Sequence, residues 1–179
     1  MKRYAAFLRG VNISGRNKVP MAALKAGFEE LGFAQVKTCL NSGNIVFSAE
    51  QKGEADFSAR LETMLKSKFD LEIPVFVMEM QELQDLLRHA PPWWGTEDRQ
   101  LYHNLIFIMP PMTFGELFRE IGEPKQELEK IEPYQKAVFW SFSRKEYQKT
   151  NWWSKTASAK SGRLLTIRTA NTVRKLAGL

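Results

Sequence analysis

The chain has 179 residues, enough for one generous domain or two small ones with a common core, and its 44% hydrophobic and 26% charged content excludes a disordered or fibrous polymer. No apolar run approaches the roughly 20 residues that cross a bilayer and nothing resembles a signal peptide, so no membrane partner is expected. Cys39 is the single cysteine, which excludes an internal disulfide and a cysteine zinc cluster and makes the cytoplasm the expected compartment, while the net charge of +6 points towards anionic partners.

In chain order, Tyr4 to Leu8 is an apolar run that leads into a loop rich in Gly, Asn and Ser. Pro20 then introduces a helix over Met21 to Leu31, with Met21, Leu24, Phe28 and Leu31 at helical spacing and Gly32 as its stop. Val36 to Leu40 and Ile45 to Ser48 read as strands around Asn41-Ser42-Gly43-Asn44, a hairpin signal. Phe57, Leu61, Met64, Leu65 and Phe69 predict an amphipathic helix, and Ile73 to Met78 a strand, so the order is βαββαβ.

A further helix over about Gln81 to His89 ends at Ala90-Pro91-Pro92-Trp93-Trp94-Gly95, where composition places the main boundary. The order then restarts: a strand at Leu101 to Met109, a helix at Thr113 to Ile121, and a hairpin of Leu128 to Ile131 with Ala137 to Phe142 around Pro133-Tyr134. Residues 143 to 161 read as largely helical, Leu164 to Arg168 as the last strand and Asn171 to Leu176 as the closing helix. Two such units predict an α+β fold of two successive ferredoxin-like βαββαβ plaits, residues 1–98 and 99–179, the second with a C-terminal helix. Tyr4 to Leu8 and Leu105 to Met109 are apolar throughout, as strands covered on both faces are, so the two plaits are expected to share a core.

Tyr4-Ala5-Ala6-Phe7-Leu8-Arg9-Gly10-Val11-Asn12, Gly15-Arg16-Asn17-Lys18-Val19-Pro20-Met21, Leu31-Gly32-Phe33 and Asn41-Ser42-Gly43-Asn44-Ile45-Val46-Phe47 resemble the bacterial domain-of-unknown-function family 1697 (DUF 1697). The likeness is dense over the first 50 residues or so and returns near Thr166-Ile167-Arg168. There the family tends to Arg-Asn-Trp-Asn-Thr, and this chain departs with Arg168-Thr169-Ala170-Asn171-Thr172. The resemblance implies one α+β family unit over the whole chain and carries no assigned activity.

Charge is segregated. Residues 1–28 hold six bases and no acid, residues 147–179 hold seven bases and no acid, and the middle therefore sets all 20 acids against 13 bases. Gly10-Val11-Asn12-Ile13-Ser14-Gly15 has the glycine spacing of a phosphate-cradling loop, but Arg16-Asn17 stands where a nucleotide-hydrolysing loop needs Lys and Ser or Thr. An anion site without metal remains, with Arg9, Arg16 and Lys18 as charges and Asn12 and Asn17 as neutral donors. Plait topology puts Asn41, Ser42 and Asn44 beside it, because strand 2 runs parallel to strand 1.

An RNA-binding plait stacks bases on aromatics of its open face, and the matching positions here are Asn44 and Val46, so the first lobe lacks that platform. Trp152 and Trp153 between Lys149 and Lys155 offer stacking, though a tryptophan pair is more often core. His89 and His103 are isolated, and no metal-ligand or paired-carboxylate pattern stands out; no cofactor is expected. Two functions fit these residues. One is a non-enzymatic module that binds a phosphate-bearing partner, nucleic acid or nucleotide, through the basic loops. The alternative is a small-molecule enzyme with an anion-binding pocket between the lobes.

Overall fold

A computed structural model describes residues 1–50, 53–158 and 160–179. They form two four-stranded antiparallel sheets and six α-helices. The first sheet is built from β1 (Lys2–Leu8), β2 (Ala34–Cys39), β3 (Asn44–Ala49) and β4 (Val75–Glu79) in the order β2-β3-β1-β4, with α1 (Met21–Glu30) and α2 (Glu54–Phe69) packed on one face. After α3 (Met80–Arg88), the second sheet takes β5 (Leu101–Ile108), β6 (Glu129–Tyr134), β7 (Ala137–Ser143) and β8 (Leu165–Thr169) in the order β6-β7-β5-β8. Helices α4 (Phe114–Ile121) and α5 (Asn151–Ser158) belong to this half, and α6 (Ala170–Ala177) closes the chain. The two sheets therefore repeat one topology.

Local chemistry accounts for these elements. Gly32 ends α1 at φ 82°, a left-handed geometry that glycine adopts without a Cβ penalty. Thr113 and Glu116 form a reciprocal capping box at the start of α4. In the first sheet Tyr4, Ala6, Leu8, Ile45, Phe47, Val75 and Val77 face the helices, where Phe28, Phe33, Phe47 and Phe57 interlock with centroids 4.5–5.9 Å apart where they meet. Ala5, Phe7, Val46, Phe76 and Met78 on the opposite face are equally buried, in keeping with the unbroken apolar pattern of β1.

One detail differs from the expectation. The second hairpin turns at Gln135-Lys136 rather than Pro133-Tyr134: Gln135 takes the left-handed conformation and Pro133 pairs with Val138 inside β6. Proline is admitted there because β6 is an edge strand, whose outward backbone needs no partner. The chain also divides into compact units at Asp85/Leu86, ahead of the Pro-Pro-Trp-Trp segment, and Lys175–Leu179 returns to the first unit. Trp94 is buried, with its Nε1–H donating to the Asn104 carbonyl at 2.7 Å, so this segment is part of the second unit's packing rather than a linker.

Candidate functional site

The loop from β1 to α1 is built on left-handed backbone. Gly10, Asn12, Ser14, Gly15 and Asn17 all have positive φ, between 47° and 76°. Asparagine tolerates this region better than most side chains because its amide can bond locally. The Asn12 Oδ1 accepts the Val19 N–H at 2.9 Å, while its Nδ2 donates to the Val19 carbonyl at 3.0 Å and to the Asn41 carbonyl at 2.8 Å. Asn17 Nδ2 donates to the Gly10 carbonyl at 2.9 Å, closing the loop on itself. Short main-chain bonds, Asn12 N–H to Asn17 O and Arg16 N–H to Ile13 O, finish the frame.

The β2–β3 hairpin lies against this loop, as plait topology requires. The Leu8 N–H donates to the Gly43 carbonyl at 2.8 Å, and a Cβ on Gly43 would sit 2.5 Å from Val11 and 2.7 Å from Leu8, so only glycine admits this approach. Asn44 is fully buried, with Nδ2 donating to the Cys39 carbonyl at 3.1 Å and to Ser42 Oγ at 2.9 Å. The asparagines thus brace the two loops with the same donors that the sequence offers to an anion.

What remains outward is charge. Arg16 and Lys18 are exposed, and neither side chain has an ion-pair or hydrogen-bond partner among the described residues. Asn41 is exposed, and Arg9 and Ser42 are half-buried, Arg9 donating its backbone N–H to the Pro74 carbonyl at 3.1 Å. The eight residues therefore divide into bracing groups, on Asn12, Asn17, Asn41, Ser42 and Asn44, and the cations Arg9, Arg16 and Lys18. The stacking positions Asn44 and Val46 are both buried. Of the tryptophan pair, Trp152 is core, with Nε1–H to the Gly122 carbonyl at 3.1 Å, whereas Trp153 is 41% exposed.

A second polar feature lies at the start of β5, in the second unit. A cleft of about 510 Å³ is lined by residues of the 95–104 segment together with Arg144, Thr169, Asn171 and Arg174. His103 stands in its wall, with Nδ1 2.5 Å from Ser141 Oγ on the paired strand and Nε2 3.1 Å from Thr96 Oγ1. Burial, reinforced by the nearby Arg174 charge and opposed by Asp98, holds the His103 pKa below the usual imidazole value. Periodicity could not reveal this group, because its members come from three separate stretches of the chain; the isolated His103 in a strand was the one visible trace.

Comparison with known proteins fits this architecture. The conserved bacterial protein SP0830 from Streptococcus pneumoniae is similar over 99% of this chain and 97% of its own, with 26% sequence identity and a TM-score of 0.85. No curated protein matches the chain. Among the described residues no helix is long and apolar enough to cross a membrane. The model of a protein family of unknown function, DUF1697, matches residues 1–139, and the chain belongs to that family.

Proposed function

We propose that the chain is a binding module for a phosphate-bearing partner, nucleic acid or nucleotide, which it engages through the basic loops at the end of β1. The observation that carries this reading is the pair Arg16 and Lys18, exposed and without an ion-pair partner among the described residues. They stand on a loop whose shape is set by its own asparagines. A braced loop presents its cations without first being ordered by the ligand, which lowers the entropic cost of binding. The acid-free stretch 1–28 leaves that charge uncompensated along the sequence.

Phosphate contacts release condensed counterions, so affinity for a single-stranded oligonucleotide should fall steeply as salt rises. Fluorescence anisotropy of a labelled oligonucleotide across a salt series tests this on the wild type and on R16A/K18A. Binding that weakens with salt in the wild type, with a shallower slope in the variant, supports the reading. Absence of binding at low salt by the wild type removes it.

A further inference from the structure

The cleft at the start of β5 is lined wholly by residues 95–174 and takes nothing from the loops that carry the proposed function. Two of its guanidinium groups are held in place before any ligand arrives. Arg174 lies over the Trp94 ring, 5.4 Å from the centroid, and its Nη1 donates to the Gly95 carbonyl at 2.7 Å. Trp94 is itself fixed by its bond to Asn104 and by edge contact with Phe139 at 5.0 Å. Arg144 lies 4.3 Å over the Tyr102 ring.

Neither guanidinium has a carboxylate partner among the described residues, although Glu97 and Asp98 line the same cleft. Asp98 instead accepts the Gln100 N–H at 2.8 Å. A structural arginine on a protein surface commonly finds its counter-charge nearby. Here two are oriented by aromatic rings, which strip part of their hydration and leave N–H groups for a ligand beyond the one that Arg174 gives to the Gly95 carbonyl. Gly95 marks how closely this is built: at φ 70° it needs glycine, and a Cβ there would run into the Arg174 guanidinium.

We propose that this cleft binds a small oxyanion, a carboxylate or phosphate monoester, whose other end carries hydroxyl or ammonium donors. Arg144 and Arg174 take the oxyanion through paired N–H groups. Glu97, Asp98 and Asn171 offer acceptors for the donor end. His103, pinned between Ser141 and Thr96, adds polar surface to the wall. A volume of about 510 Å³ suits a small molecule rather than a strand of nucleic acid.

Titration calorimetry on the full chain with inorganic phosphate, ribose 5-phosphate and glutamate tests the assignment, on the wild type and on R144A, R174A, R174K and R16A/K18A. Ribose 5-phosphate or glutamate should bind more tightly than inorganic phosphate, and whichever does so identifies the oxyanion source. R144A and R174A should each weaken that probe by about tenfold or more, and R174K, which keeps charge but loses the fork, should behave like R174A. R16A/K18A should leave the affinity unchanged, so failure here is distinct from failure of the loop reading. The exposed Arg144 can be removed without disturbing the core, which keeps the test valid if the Arg174 variants fold poorly. No heat from any of the three probes at ~10 mM, or wild-type affinity in R144A, would overturn the proposal.

Discussion

The two sheets have the same strand order, yet their polar groups gather at opposite ends of the central strand. In the first unit they collect after β1, on a long loop braced by Asn12 and Asn17. The equivalent connection in the second unit, residues 109–113, is short, carries no charged side chain and ends in the Thr113 capping box. At the other end the contrast reverses. The start of β5 opens into a cleft whose Arg144 and Arg174 have no carboxylate partner among the described residues, whereas the start of β1 is closed by the Lys2–Glu79 ion pair at 3.0 Å. Topology decides which loops are neighbours; the residues placed there decide whether the neighbourhood is neutralised or left charged.

The interiors differ as well, and this supports the largest predicted effect. The helix-facing core of the first unit is aromatic and aliphatic. The second unit buries a carboxylate, Glu129, at the start of its edge strand β6. That side chain accepts the Trp140 Nε1–H at 3.2 Å and the backbone N–H groups of Lys125 at 3.0 Å, Asn151 at 2.6 Å and Trp152 at 3.2 Å. Asn151 and Trp152 begin α5, so Glu129 satisfies donors that the helix cannot bond internally and complements its dipole. E129A strands these donors away from water and should cost about 3–5 kcal/mol in urea denaturation. E129Q should cost less, because one acceptor oxygen survives. A loss under 1 kcal/mol in E129A would mean that the two interiors are more alike than their side chains suggest.

The next effect lies in the braced loop. The Asn12 side chain makes three hydrogen bonds on left-handed backbone, so N12A should cost about 2–3 kcal/mol and weaken oligonucleotide binding with no change in charge. N12D retains the acceptor for the Val19 N–H but turns its other carboxylate oxygen on the Val19 and Asn41 carbonyls, and should cost at least as much as N12A. If N12A binds as the wild type does, the bracing has no bearing on the cationic rim. R16A/K18A makes the complementary case: neither side chain has an ion-pair or hydrogen-bond partner among the described residues, so stability should move by less than about 0.5 kcal/mol, while the log–log salt slope of oligonucleotide binding should fall by up to about 2. Thermal unfolding and the salt series on the same preparation separate the two contributions.

Element order was legible because each element carries a clean period and clear punctuation, such as Pro20 before α1 and Gly32 after it. The hairpin turn was displaced by two residues because proline reads as a turn former, and only the sheet order reveals that β6 is an edge where Pro133 is harmless. Adjacency of the β1 loop and the Asn41–Asn44 hairpin followed from topology alone. The use made of the asparagine donors did not, since an amide that braces a carbonyl and one that awaits an anion have the same spelling. The cleft was hidden for a different reason. Arg144, Arg174 and His103 meet only through pairing of β5 with β7 and β8, and Trp93-Trp94-Gly95, which looks like a linker, supplies the ring beneath Arg174.

The smallest effect concerns His103 and tests whether the cleft differs electrostatically from the open loop. Its folded pKa is depressed, first by burial and then by Arg174, with Asp98 opposing, while Ser141 and Thr96 hold the two ring nitrogens. A depressed histidine pKa means that the unfolded chain binds more protons than the folded one between the folded pKa and about 6.5, the unfolded value. Stability from this group is therefore complete above about pH 6.5 and declines as the pH falls from there to the folded pKa. The carboxylates Asp70, Glu116, Glu120 and Glu146 have lowered pKa values too, but their contributions are lost only below the ordinary carboxylate range, so the decline that His103 begins at about pH 6.5 sets in first. H103Q keeps a polar group in the wall and removes the titration. Urea midpoints measured at about pH 7.5, 6.5 and 5.5 should show a decline in the wild type that is reduced in H103Q, as the linkage requires. Equal slopes in the two proteins would show that His103 titrates as freely as a histidine in water, and the cleft would lose its distinction from an exposed surface.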